Sequence, residues 1–124
     1  MDVPPIEHQV RRGGSPAEPM EWGTVRWLAR QDDPPGAEMT AAVAAFAAGK
    51  GNVEHVHPDC EEIVYVLEGA LMHTLGDEVT RLHAGDIIIV PRGVPHRLAN
   101  TDGADARAFI VFSSPDRQFV PTGR

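Results

Sequence analysis

The sequence predicts an all-β sandwich or barrel, built as a single domain from short antiparallel strands. Three observations carry this reading. The chain has 124 residues, and dividing it would leave each half too small for a core of its own. Twelve glycines and 11 prolines exceed the usual combined share of about 12%; they follow no collagen-like period, which argues against a helical bundle and for tight turns. In the second half of the chain, apolar runs recur at spacings of about 8–12 residues with turn residues between them.

The elements follow in order. Residues 1–21 carry four prolines and the run Arg11-Arg12-Gly13-Gly14; without sustained periodicity they are expected to form an irregular arm, leaving residues 22–124 as the barrel domain. Residues 24–29 read as a short strand and 31–36 as a loop. Residues 40–48 are ambiguous, because alanine favours helix while a nine-residue run bounded by Gly49 also fits a strand. Strands are then expected at 63–67, 71–75, 79–82, 87–90, 96–100 and 106–112. Glu68-Gly69, Gly76-Asp77, Ala84-Gly85, the 91–95 loop and Asp102-Gly103 supply the turns between them.

Composition excludes several functions. Eleven basic against 18 acidic residues give a formal charge of −7. No basic stripe is present, which argues against nucleic acid or an anionic membrane as partner. Cys60 is the only cysteine, so neither an internal disulfide nor a four-thiolate zinc site can form. The longest uncharged apolar run, residues 39–49, is about half a membrane span. Met1-Asp2-Val3-Pro4-Pro5 has no basic region followed by an apolar one. A cytoplasmic protein is the expectation.

His55-Val56-His57 is the motif that carries chemistry. On a strand, residues two apart share a face with Cα atoms about 6.6 Å apart, close enough for both rings to reach one ion. On a helix they would point about 200° apart and could not converge. Pro58-Asp59 then turns the chain, Glu62 opens the next strand, and His96 opens a later one.

The frame around these residues is specific. Gly49, His55, His57, Glu62 and Gly69 form one spaced set, and Gly85, Pro91, Gly93, His96 and Asn100 a second. At every defining position the two sets match the two motifs of the cupin superfamily, and the chain resembles its small single-domain microbial members. The resemblance implies a single cupin β-barrel of the antiparallel jelly-roll type, with residues 40–48 as a strand. It implies one divalent metal ion held by His55, His57, Glu62 and His96. It also implies a homodimer paired through sheets and arms.

Other residues can be placed from the pattern. Asn100 reads as a turn-capping residue rather than a ligand, and Pro91 and Pro95 stiffen the loop that delivers His96. If Glu68-Gly69 is a two-residue hairpin turn, Leu67 pairs with Ala70, Val64 faces His73 and Glu62 faces Leu75. Then Glu62, Val64, Val66, Leu71, His73 and Leu75 share the interior face. That puts His73 in the pocket near the metal, as a candidate acid/base or a merely packed histidine. Cys60 reads as a small packed residue, and His8 and His83 as surface residues. Arg26 alternates with Val25 and Trp27; it is either a binding residue for an anionic substrate or a solvated edge residue.

Imidazole and carboxylate together suit Fe, Mn, Ni, Zn or Cu, so the ligands do not select the metal. Three functions stay open. The first is a Lewis-acid isomerase, tautomerase or lyase acting on a small sugar acid or hydroxy-carbonyl compound. The second is an Fe(II)-dependent dioxygenase. The third is a non-catalytic module that binds a metal or small ligand.

Overall fold

The computed structural model describes residues 2–13, 15–31 and 33–124. One short helix, α1 (Ile6–Gln9), precedes eleven strands: β1 (Glu18–Met20), β2 (Gly23–Ala29), β3 (Thr40–Phe46), β4 (His55–Val56), β5 (Glu62–Glu68), β6 (Ala70–Leu75), β7 (Glu78–His83), β8 (Ile87–Val90), β9 (His96–Ala99), β10 (Ala106–Phe112) and β11 (Val120–Pro121). They form two antiparallel sheets, a six-stranded one in the order β1-β2-β3-β10-β5-β8 and a five-stranded one in the order β11-β4-β9-β6-β7. The fold is all-β, as expected.

Alternation dictates what lies between the sheets. Strands β3 and β5 bury every second residue, and β10 does the same, because successive side chains leave opposite faces of the pleat. Ala44, Phe46, Val64, Val66, Ala108, Ile110 and Phe112 thus face inward from the larger sheet and meet Leu71, Leu82 and Leu98 of the smaller one. The alanine-rich run is a strand, since β2 and β10 claim both of its edges and pairing outweighs alanine's helical propensity. Its inward Ala42 and Ala44 are small, which leaves space beneath the sheet.

Two expectations are corrected. The segment expected to be irregular ends in an edge strand, β1, with Glu18 opposite Val25 and Met20 opposite Gly23. All three β1 residues are exposed, so no apolar alternation announces it, and Pro19 is tolerated because the strand lies on an edge. The second correction is that Glu68-Gly69 is not a hairpin turn. β5 pairs with β10 and β8, whereas β6 pairs with β7 and β9. The chain changes sheet at Gly69, where φ is +75° and an added Cβ would lie 3.0 Å from that of Ala106. Val64 consequently faces Ile88 and Ile110, and His73 faces Thr80 and Leu98. A Glu-Gly pair reads as a hairpin only when the two strands keep a free edge for one another, and here both edges of β5 are taken. Among the described residues, no helix is long and apolar enough to cross a membrane.

Candidate metal centre

Three elements of the smaller sheet and its neighbour bring the site together. His55 on β4 is the direct cross-strand partner of His96 on β9. His57 follows two residues later, and Glu62 is the first residue of β5. All four are buried, and one ligand atom from each lies within 4.8 Å of the others. The ring centroids of His55 and His57 are 4.8 Å apart, those of His55 and His96 4.3 Å, and those of His57 and His96 5.0 Å. The spacing of the two histidines in the sequence anticipated this convergence.

Backbone carbonyls set the orientation of each ring. Nδ1 lies 2.7 Å from Val53 O in His55, 2.6 Å from Gln118 O in His57 and 2.9 Å from Val94 O in His96. A carbonyl only accepts, so Nδ1 carries the hydrogen and donates in each case. The Nε2 lone pair is left to face the centre, the arrangement that prepares an imidazole for a metal. Glu62 Oε1 is 2.8 Å from His96 Nε2 and 3.4 Å from His57 Nε2. His57 Nε2, His96 Nε2 and Glu62 Oε1 are buried with no hydrogen bond. Such orphaned atoms are costly, and a cation among them would satisfy all three. The donor set therefore fits a metal site.

The electrostatics agree. Burial pushes His55 down to about 4, so its ring is neutral and available as a donor. Burial alone would raise Glu62, but the close approach of His57 and His96 outweighs it and brings the carboxyl to about 2. Burial opposes the charged form of His96 too, yet Glu62 holds its pKa above the usual histidine value. One ionised carboxylate among imidazoles is a centre that attracts positive charge.

The four side chains open onto a cavity of about 260 Å³ whose other walls are mostly apolar. Met20 and Trp22 flank it, Val25 and Trp27 come from β2, Ala42, Ala44 and Phe46 from β3, and Ile110 and Phe112 from β10. Five of the chain's seven aromatic residues line it. Phe119 stacks on His55 at 4.2 Å and Phe112 meets His57 edge-on at 5.0 Å. Apart from the four candidate ligands, the polar side chains on the wall among the described residues are Asn52 and Arg117.

The remaining expected residues fall into two groups. Asn100 is buried and caps a turn, its Nδ2 donating to Phe46 O and Ala104 O while its Oδ1 accepts from Asp102 N. Cys60 is buried, and burial pushes its thiol up to about 12, so it is packed and not a thiolate. His8 and His83 are exposed. Arg26 is exposed, as the solvated one of its two readings has it, because Val25 and Trp27 take the inward positions of β2 and leave Arg26 the outward one. His73 is a partial correction. It is fully buried, its ring parallel to that of His96 at a centroid distance of 6.1 Å, but it is not part of the cavity wall. Burial pushes it down to about 4, and neither ring nitrogen has a partner. The sequence reading missed Arg117 and Phe119. Their place depends on the two-residue β11 pairing with β4, and no motif spacing ties residues 117–119 to His55.

Comparison with known proteins agrees with this architecture. A family model described as Cupin domain matches residues 42–112. Protein SchB of Streptomyces halstedii is 35% identical over 111 residues, spanning 90% of this chain and 70% of its own. Polyketide synthase CurC of Streptomyces cyaneus is 31% identical over 113 residues, spanning 91% and 68%. Among solved structures, an oxalate oxidase aligns with a TM-score of 0.71 and 25% identity over 79% of this chain and 54% of its own. The polyketide cyclase RemF of Streptomyces resistomycificus aligns with a TM-score of 0.77 and 23% identity over 93% and 84%, a likeness of fold.

Proposed function

The chain belongs to the cupin domain family, and on that premise we propose that it is a metal-dependent enzyme performing non-redox chemistry on a flat, conjugated hydroxy-carbonyl compound. The reaction class is isomerisation, tautomerisation or elimination of water, including ring closure. One divalent ion would be held by His55, His57, Glu62 and His96. That ion would supply Lewis-acid polarisation of a carbonyl or enol oxygen.

The observation that carries this reading is the aromatic part of the cavity wall beyond the four candidate ligands. Trp22 stacks on Phe46 at 4.3 Å with 19° between the rings, and both line the cavity. Such a surface accepts a planar conjugated ring through stacking and apolar contact. A sugar acid carries a hydroxyl on nearly every carbon, and these walls would leave most of them unpaired at a cost of about 1–3 kcal/mol each. The hydroxy-carbonyl branch of the sequence reading is thereby favoured over the sugar-acid branch. The names carried by the relative CurC and the fold neighbour RemF support a polyketide-like substrate. Within the chain, the backbone carbonyls of Val53, Gln118 and Val94 hold the three rings in place, and the apolar walls exclude water from the reacting face.

The likeness to an oxalate oxidase favours a second reading, oxygen-dependent chemistry at the same centre. One experiment separates the two. Protein loaded in turn with Fe, Mn, Ni, Zn and Cu is assayed against hydroxynaphthyl ketones, linear poly-β-ketones, sugar acids and oxalate in an oxygen electrode. Turnover of a ketone to an isomer, or to a product lighter by one water, with no oxygen uptake is the expected result. Oxygen uptake in step with product, or turnover confined to sugar acids or oxalate, overturns the proposal.

A further inference from the structure

The cavity wall holds a cation, Arg117, that no ion pair engages among the described residues. Arg117 lies with its guanidinium carbon 4.8 Å from the ring centroid of Phe112, 5.0 Å from that of Trp27 and 5.8 Å from that of Phe119. Its Nε is buried without a hydrogen bond, and among the described residues no carboxylate forms an ion pair with it. The contrast with Arg30 is direct. That residue lies over the same Trp27 ring at 4.6 Å but has Glu18 at 3.5 Å. Glu62 and Asp59, whose charge reaches it, are engaged by other groups. Asp59 accepts from Gln118 N and from Ser114 Oγ, and Glu62 lies against His96 and His57.

Aromatic rings satisfy the faces of a guanidinium and leave its edge of N–H donors to seek an acceptor in the plane. In an apolar cavity that acceptor is held most strongly when it is anionic. We propose that Arg117 is the specificity-determining residue of this cavity, pairing with an anionic oxygen, carboxylate or ionised enol, carried on a flat substrate ring. Burial also draws the Arg117 pKa below its ordinary value, a penalty that an anion beside it relieves. The inference rests on the cavity being a site for a flat conjugated compound and adds that this compound is charged.

Calorimetric titration of the full-length, metal-loaded protein tests it with two matched pairs: 2-naphthoate against neutral 2-naphthamide, and indane-1,3-dione, which ionises as an enolate, against 1-indanone. The wild type is expected to bind at least one anion about tenfold or more tightly than its neutral partner. Arg117→Gln should abolish that preference while leaving the neutral partner's affinity and the metal content unchanged, and Arg117→Lys should retain part of it. Any contact of the probe with the metal is common to all three proteins and cancels. The pair that shows the preference identifies carboxylate or enolate as the anion. Equal binding of both members in each pair, an equal loss of anion and neutral probe in Arg117→Gln, or no binding of any probe overturns the inference. Arg117-dependent anion binding without non-redox turnover would leave this inference standing and remove the functional reading, and turnover without anion preference would do the reverse.

Discussion

His57 depends on a single backbone contact for its orientation, and that makes it the sharpest residue to test. Its Nδ1 is held by Gln118 O, and its Nε2 is one of the orphaned atoms at the centre. Replacing His57 with alanine should remove most bound metal while leaving the barrel folded, since none of the turn glycines or prolines is touched; elemental analysis alongside far-UV circular dichroism checks both. His73 should behave differently. Because it lies off the cavity wall, His73→Leu is expected to retain metal and to change turnover less than about tenfold. Removing a buried, unpartnered polar group should leave stability unchanged or raise it by about 1 kcal/mol. A loss of about 10²–10⁴-fold at unchanged metal content would instead restore a proton-transfer role. The buried Cys60 should resist iodoacetamide at pH 8 in the native protein and react only on unfolding, as mass spectrometry would show. At this scale the convergence of His55 and His57 was legible, because an H-x-H pair converges only on an extended segment, while Glu62 and His96 joined the candidate set through the resemblance of the motif frame. The inward side of His73 was legible from alternation, but its depth was not. Arg117 was invisible, since its neighbours Trp27 and Phe112 are brought to it only by the folded sheets.

Strands were legible as elements and illegible as partners. Alternation within β5 and β6 fixed which residues face inward even though the assumed hairpin between them does not exist, because the parity of a strand is a property of its own sequence and its partner is a property of the whole topology. The corner at Gly69 gives a direct test. Gly69→Ala should cost about 1–2 kcal/mol for placing a side chain at positive φ, with a further loss because the new Cβ would press on Ala106 at 3.0 Å. Gly85→Ala also lies at positive φ but meets nothing within 4 Å, so it should show only the first cost. Urea unfolding midpoints of the two variants should differ in that order, and equal losses would show that the corner tolerates a side chain.

The outer face of the larger sheet is apolar at one end. Ile63 and Ile89 are cross-strand partners, as are Tyr65 and Ile87, and all four are exposed beside the open edge of β8. A patch of this kind at a free sheet edge is a surface that seeks a partner, and we propose that a second copy of the chain covers it. Light scattering should report about twice the 13.4 kDa chain mass at micromolar concentration. Ile89→Glu should shift the protein to monomer with its metal content intact, and a wild-type monomer would remove the idea. The pairing of His55 with His96 has a different kind of consequence, one of timing. These two candidate ligands come from distant parts of the chain and meet only when β4 and β9 have joined, a contact expected to close late because of its loop-closure entropy. Metal capture should therefore mark the end of folding: on dilution from denaturant, strand signal should appear first and tight metal retention after it. A chelator present only during that interval should leave the rate of strand formation unchanged and delay only metal retention, since an ion would add stability to the assembled fold and would have no site in the open chain.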